Sequence, residues 1–226
     1  MPPAFGHSSS QASWRSADER GEGRHNAGHW RPSGLQSEDD SRFWPTDPVD
    51  NGGCRPFRPR ARLSVLQYVR DLTSQHGLQL SDAAQQAWKD FEDRLTSFWP
   101  TPAGRSLHLE PHAQNSIPPR FQASHIDVAL AGVNGKSTLY HLSEVTGVDE
   151  RVQAVVASQD ATAACLLVAL ERIEEKGMRE FSFVCHGATH RSVACCLLLA
   201  AIAYPQARVH MTTRRTRDAA ALADRF

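Results

Sequence analysis

The sequence predicts an α/β fold: a mostly parallel sheet with flanking helices, preceded by a helical segment and a disordered N-terminal tail. Short apolar, β-prone runs alternate with helical stretches in the C-terminal half, which is typical of a parallel sheet. The composition also changes sharply along the 226 residues. We therefore predict four segments: a tail over 1–62, a helical segment over 63–100, a linker over 101–120 and an α/β domain over 121–226.

The predicted tail, residues 1–62, is rich in Ser, Gly, Pro, Arg, His and Asp and has few aliphatic residues. Such a composition cannot bury enough apolar surface to offset the entropy lost on ordering, so we expect disorder. The basic patch at 55–62 fits a solvated linker, with RNA contact or targeting as the alternatives.

Helical periodicity begins at Ser64, and Ser81 is a predicted N-cap for a second amphipathic helix. Prolines and histidines then interrupt the pattern over 101–120, which indicates a linker. His108 and His112 are four residues apart, but Pro111 between them disfavours the helix that would bring both to one metal. We predict no metal site.

The predicted domain contains three β-prone runs and a long helix that ends at Gly177. An apolar helix over 193–203 is too short to span a bilayer and is assigned to the core. The predicted strands are 125–131, 180–185 and 207–211, and a short closing helix is predicted over 218–226.

A strand, a polar loop and a buried helix meet around Cys185 in the stretch FSFVCHGATHRSVACC. The start of a helix carries unpaired N–H groups and a partial positive charge, so it favours an anion, most often phosphate. Arg191 at the start of this helix adds a guanidinium that binds phosphate oxygens in pairs. The local geometry therefore predicts a phosphate site at this loop.

A second polar turn, GVNGKST, follows the first predicted strand of the domain. It is not a P-loop, because Leu130 stands where that motif requires its first glycine. Asn134, Gly135 and Lys136 remain a possible secondary phosphate contact, beside the interpretation as a plain polar turn.

The formal net charge is zero, so no global field points to nucleic acid or an anionic membrane. The five cysteines have no regular spacing, which favours a reducing, cytoplasmic setting. We predict no membrane association and no cofactor.

Cys185, five intervening residues, Arg191 and Ser192 reproduce the spacing of Cys-dependent phosphatases. Val184 stands where those enzymes have a histidine, and Gly187 lies one position early. The required general acid is not singled out among the candidates Asp127, Asp149 and Asp160.

The stretch from about Asp127 to Arg215 also resembles the C-terminal domain of RapZ, the RNase adapter family. Several ordered motifs carry this resemblance: the cysteine loop (Cys185, Gly187, His190 to Val193), the VTGVD segment (145–149) and the arginine-rich segment from Arg208 to Arg214. The family's kinase-like domain has no counterpart here, so ATP binding is not expected.

The resemblance implies a non-catalytic sensor of a phosphorylated sugar such as a hexosamine phosphate, and it makes oligomers possible. Carried over by position, the resemblance implies a phosphate site made of Cys185, His186, Gly187, Ala188, Thr189, His190, Arg191 and Ser192. Ala188 replaces a glycine of that loop, so we expect Ala188 to avoid positive φ. A Cys-dependent phosphatase is the alternative, and an RNA-binding adapter is a second one. The arginines available for RNA are Arg208, Arg214, Arg215 and Arg217, for which a solvated basic edge is the default interpretation.

Overall fold

The computed structural model describes residues 64–223. The predicted tail over 1–62 and the last residues of the predicted closing helix lie outside the described residues. All that follows on the fold concerns the described part of the chain.

Four parallel strands form one sheet, with the spatial order β2, β3, β1, β4. In the central pair, His108 lies opposite Glu180 and Ala113 opposite Cys185. Every residue of β3 after its first is buried, as expected for a strand covered on both faces. The strands are β1 (His108–Ala113), β2 (His125–Asp127), β3 (Glu180–Cys185) and β4 (Arg208–Val209). The predicted parallel α/β fold is confirmed.

Besides a 3-10 helix over Pro119–Phe121, seven α-helices accompany the sheet in residues 64–223. They are α1 (Val65–Gln75), α2 (Asp82–Phe98), α3 (Thr101–Gly104), α4 (Glu150–Ala157), α5 (Asp160–Lys176), α6 (Arg191–Ile202) and α7 (Arg214–Ala223). The caps follow the sequence: the Ser64 and Ser81 hydroxyls accept bonds from the N–H groups of Gln67 and Ala84. Gly177 ends α5 at a φ of 62°.

The helical segment and the sheet share one hydrophobic core. Helix α6 packs against β1 and β3, α4 packs against α6, and α1 and α2 pack against α4 and α5. Trp88 of α2 is fully buried, and its Nε1 donates a 2.8 Å hydrogen bond to the carbonyl of Ala157 in α4. Arg94 of α2 forms ion pairs with Glu171 and Glu175 of α5. The helices of 63–100 are therefore part of the domain that was expected to start at 121.

The predicted linker over 101–120 is wrong, because it contains the central strand β1. The N–H groups of His108 and Gln114 donate hydrogen bonds to the carbonyls of Arg179 and Cys185. The backbone N–H and C=O groups of the even-numbered residues of β1 therefore point toward β3. The ring nitrogen of Pro111 therefore faces the β4 side, where pairing ends at Leu109. The missing N–H costs the sheet no hydrogen bond there.

Three other elements have bounds that differ from the predicted ones. Strand β2 ends at Asp127, where the chain turns, rather than at 131. Strand β4 covers two residues of the predicted 207–211. The closing helix α7 begins at Arg214, four residues early, with the Thr213 hydroxyl accepting from the N–H of Thr216.

No single helix within residues 64–223 combines the length and apolarity needed to cross a membrane. Helices α4 and α5 meet those criteria only when counted together across a 90° bend.

Candidate anion site at the carboxyl end of strand β3

The parallel strands bring Cys185 and the ends of β1 and β2 to one edge of the sheet. Ala113 lies opposite Cys185, and Asp127 lies opposite Val184. After Cys185 the chain makes a five-residue loop and enters α6 at Arg191. We call residues 185–192 the anion loop. Ligands of open parallel sheets bind at this edge, beyond the carboxyl ends of the strands.

The sulfur of Cys185 is the point on which the anion loop converges. Its Sγ lies 3.1 Å from the Oγ of the buried Ser192. Burial, the largest single influence, acts to raise the pKa of this thiol. Hydrogen bonds from the Ser192 hydroxyl and from the N–H groups of Ser192, Gly187 and Ala188 together outweigh burial, and the pKa lies below its usual value.

The other described cysteines lack such an environment. All are free and buried. Burial raises the pKa of Cys165 to about 12 and also raises those of Cys195 and Cys196. These three are packing residues, and Cys185 is the thiol with a stabilised anionic form among residues 64–223.

Ala188 adopts the left-handed conformation that was expected to be avoided. Its φ is 50°, and it is the one non-glycine residue with positive φ among residues 64–223. The N–H groups of Gly187 and of Ala188 itself act on the Cys185 sulfur and lower its pKa. The expectation of negative φ is therefore wrong, and the strain of a left-handed alanine is held at the loop that surrounds the sulfur.

Arg191 is half-buried and links the anion loop to the second polar turn. Its Nη1 donates a 3.1 Å hydrogen bond to the carbonyl of Val133. A Cβ on Gly135 would lie 2.9 Å from the Cγ of Arg191, so this glycine allows the close contact. The predicted secondary contact thus lies beside the anion loop, but Lys136 is exposed and Asn134 bonds the side chain of Gln159.

The VTGVD segment packs directly on the start of α6. The N–H of Gly147 donates a 2.8 Å bond to the carbonyl of Thr189, and a Cβ at this position would lie 2.2 Å from the carbonyl oxygen of His190. Gly147 is therefore required by a close approach of two backbones. Asp149 caps α4 by accepting the N–H of Arg151.

His190 was predicted to bind phosphate, and the structure gives its ring another contact. Its Nε2 lies 2.9 Å from the carbonyl oxygens of both Leu142 and Val145, so this nitrogen carries the proton and is occupied. Burial, the largest influence, lowers the pKa of His190, and the charges of Arg215 and Arg191 lower it further. The ring is therefore neutral near pH 7 and fastens the preceding loop to α6.

The remaining predicted loop residues differ in exposure. His186 and Gly187 are exposed, whereas Ala188 is buried. The Thr189 hydroxyl donates to the carbonyl of Gly187 and so holds the loop closed on itself.

The carboxylates of the three aspartates considered as general acids already accept hydrogen bonds from other groups of the protein. Arg151 pairs with Asp149, and its hydrogen bond is the largest influence holding the pKa of that carboxyl below the usual value. The carboxylate of Asp127 accepts from two N–H groups of its own turn and from Gln114 Nε2. Asp160 accepts the N–H of Ala161 at the start of α5.

Arg215, which the sequence suggested only as an RNA contact, also binds to this region. Its Nη2 donates to the carbonyls of Leu142, Ser143 and Val145, which places it on the loop that His190 also bonds. Nothing in the local sequence of α7 signals this long-range contact. All four arginines considered for RNA, Arg208, Arg214, Arg215 and Arg217, are exposed.

No group of three or more His, Cys, Asp or Glu side chains suited to a metal ion occurs in residues 64–223. Comparison with protein-family models, with curated proteins and with solved structures found no match to this chain.

Proposed function

We propose that the anion loop binds a phosphorylated small molecule, of the phosphosugar class that the RapZ resemblance implies, and that the domain is a non-catalytic sensor or adapter. The observation that carries this proposal is the convergence of loop N–H groups and the Ser192 hydroxyl on the Cys185 sulfur, in the loop that leads into Arg191 at the start of α6. A backbone arranged in this way stabilises negative charge. Arg191 uses one nitrogen on Val133, and its planar fork has further donors for phosphate oxygens.

The surrounding carboxylates support a binding role rather than catalysis. Transfer of a phosphoryl group through cysteine needs an acid that protonates the leaving oxygen. Asp149, with its lowered pKa, is held as a carboxylate by Arg151, and Asp127 is fixed by its turn and by Gln114.

A Cys-dependent phosphatase is the second candidate, and the environment of Cys185 favours it. A thiolate stabilised by the hydroxyl of the residue after the arginine is the nucleophile that such chemistry needs. An aryl phosphate assay separates the candidates: turnover by the native protein that Cys185→Ser abolishes would replace the sensor with the enzyme. The sensor predicts no turnover by either protein.

The RNA-binding alternative stays a prediction for Arg208, Arg214, Arg215 and Arg217, of which Arg215 also donates to three of the protein's own carbonyls. Oligomer formation also stays a prediction. A cytoplasmic, reducing setting belongs to the proposal, since the four described cysteines are all free.

Calorimetric titration with glucosamine 6-phosphate and with inorganic phosphate tests the binding function. We expect binding by the native protein and a loss of about tenfold or more in affinity for Arg191→Ala, because a charge-assisted hydrogen bond is removed. Arg179→Ala is the matched control, since Arg179 is an exposed arginine at the other end of β3. Absence of binding by the native protein, or equal loss in both variants, would contradict the proposal.

A further inference from the structure

Three backbone carbonyls beside the anion loop converge on two side chains that carry or can carry positive charge. We call residues 142–145 the carbonyl strap. The oxygens of Leu142, Ser143 and Val145 accept from Nη2 of Arg215 at 3.1, 2.6 and 2.9 Å. Two of them, those of Leu142 and Val145, also accept from Nε2 of His190 at 2.9 Å. The strap therefore joins the last residue of the loop before α6 to the first turn of α7.

Arg215 lies close to the anion loop. Its Nη2 and the His190 Nε2 share acceptor oxygens, so the two nitrogens are within two hydrogen-bond lengths of each other. The charges of Arg215 and Arg191 both act on the His190 ring and lower its pKa. The Arg215 guanidinium is thus held on the same carbonyls as the imidazole of the residue that precedes Arg191.

The charge of Arg215 is not neutralised by the protein's described residues. No carboxylate lies within ion-pair distance of its guanidinium in residues 64–223, whereas neighbouring Arg214 has Asp218 at 3.7 Å. Neutral carbonyls are its acceptors, and Nε and Nη1 have none among those residues. A guanidinium held only by carbonyls gains more from an anion, because charge-assisted hydrogen bonds are roughly twice as strong as neutral ones.

We propose that Arg215 is a second cationic residue of the anion site, and that the carbonyl strap holds it until a phosphate group displaces the carbonyls. This inference rests on the proposed phosphate-binding function. The bound phosphate takes hydrogen bonds from Arg191 and Arg215, and the strap loses the three bonds that Arg215 supplies. Two guanidinium groups at one site favour the dianion of a phosphate monoester, so binding of this ligand class releases residues 142–145.

Two measurements on the full chain with inorganic phosphate test this inference. Calorimetry compares the native protein with Arg215→Ala and with the matched control Arg217→Ala, an exposed arginine on the same helix. We expect about tenfold weaker binding for Arg215→Ala and native affinity for Arg217→Ala. Hydrogen exchange of the native protein is expected to show faster exchange in a peptide covering 142–145 when phosphate is added, and slower exchange over 186–192.

The outcomes separate this inference from the function on which it rests. If the native protein binds no phosphate, both fail. If it binds and Arg191→Ala weakens binding while Arg215→Ala behaves like Arg217→Ala, only the role of Arg215 is overturned. If Arg215→Ala is unstable, the exchange experiment decides, because a purely structural clamp predicts unchanged or slower exchange over 142–145 when the ligand binds.

Discussion

Opposing influences act on the single sulfur atom of Cys185. Its side chain is 3 % exposed, and burial favours the neutral thiol. The Ser192 hydroxyl and three backbone N–H groups favour the thiolate and prevail. The left-handed Ala188 itself supplies one of those N–H groups. Strain at one alanine and an anion-stabilising loop are therefore parts of the same local structure.

We predict that Ser192→Ala raises the pKa of Cys185 toward the usual cysteine value, because the largest of the hydrogen bonds that lower it is lost. Ultraviolet absorbance of the thiolate as a function of pH measures this, and Cys185→Ser identifies the titration step. Ser182→Ala is the control, since it removes a buried hydroxyl from β3 away from the sulfur. An unchanged step in Ser192→Ala would show that the hydroxyl does not stabilise the thiolate.

The Cys185 thiol also makes the free energy of unfolding depend on pH. The pKa of Cys185 is lowered in the folded chain from the ordinary value of 9.0. The unfolded chain therefore binds more protons in the interval between the two values. The stability that the Cys185 thiolate adds to the folded state is fully present above pH 9.0. It is lost as the pH falls through the pKa that Cys185 has in the folded chain.

At the scale of elements, the contact between the VTGVD segment and α6 fixes the geometry of the anion loop. Gly147 lies so close to α6 that an added Cβ would be 2.6 Å from the N atom of Ala194 as well as 2.2 Å from the His190 oxygen. Neither backbone atom can move without shifting the start of the helix. The glycine in this segment therefore positions the loop that carries Arg191.

We predict that Gly147→Ala destabilises the fold by about 1–3 kcal/mol or more, as overpacking against backbone does, and weakens phosphate binding. Denaturant unfolding and calorimetry measure the two effects. The control is Gly104→Ala, where an added Cβ meets nothing within 4 Å. Equal stability of the two variants would contradict the close packing described here.

Sequence patterns predicted the elements whose signals are local. Strand β3 has its predicted bounds because an apolar run is followed by a polar turn, and the Ser81 N-cap of α2 was recognised for the same kind of reason. Strand β1 was missed because Pro111 and two histidines interrupt its pattern. Pro111 is tolerated because β4 pairs with β1 only as far as Leu109. No local pattern in the sequence reveals where that pairing ends.

The local arrangement of the candidate site follows from the sequence only in part. The anion loop and its nearness to the GVNGKST turn follow from consecutive strands that end at one sheet edge. The hydrogen bonds of His190 and Arg215 join residues separated by 45 to 73 positions, so they depend on the folded arrangement. The left-handed Ala188 also follows from tertiary contacts, because an alanine has no local preference for that conformation.

At the scale of the whole described chain, the helices before β1 and the sheet share one hydrophobic core. The core joins Trp88 and Phe91 of α2 to Phe181 and Phe183 of β3 in one buried cluster. Helices α1 and α2 cover α4 and α5, and β1 lies between β3 and β4. No boundary between independent domains passes through 101–120.

We predict that a chain starting at residue 121 does not fold, because it lacks β1 and leaves the surfaces of α4 and α5 uncovered. A chain starting at residue 63 keeps every element described here and is expected to fold. Circular dichroism and cooperative thermal unfolding compare the two. Cooperative unfolding of the shorter chain would return the boundary to 121.

The phosphate dependence of the Cys185 titration tests the central claim most directly, because it reports on binding at one named atom. The thiolate step is recorded with and without inorganic phosphate at matched ionic strength, in the native protein and in Arg191→Ala. A phosphate held in the anion loop repels the thiolate, so the account predicts that phosphate raises the pKa of Cys185 in the native protein and has a much smaller effect in the variant. An identical titration step with and without phosphate would contradict phosphate binding at this loop.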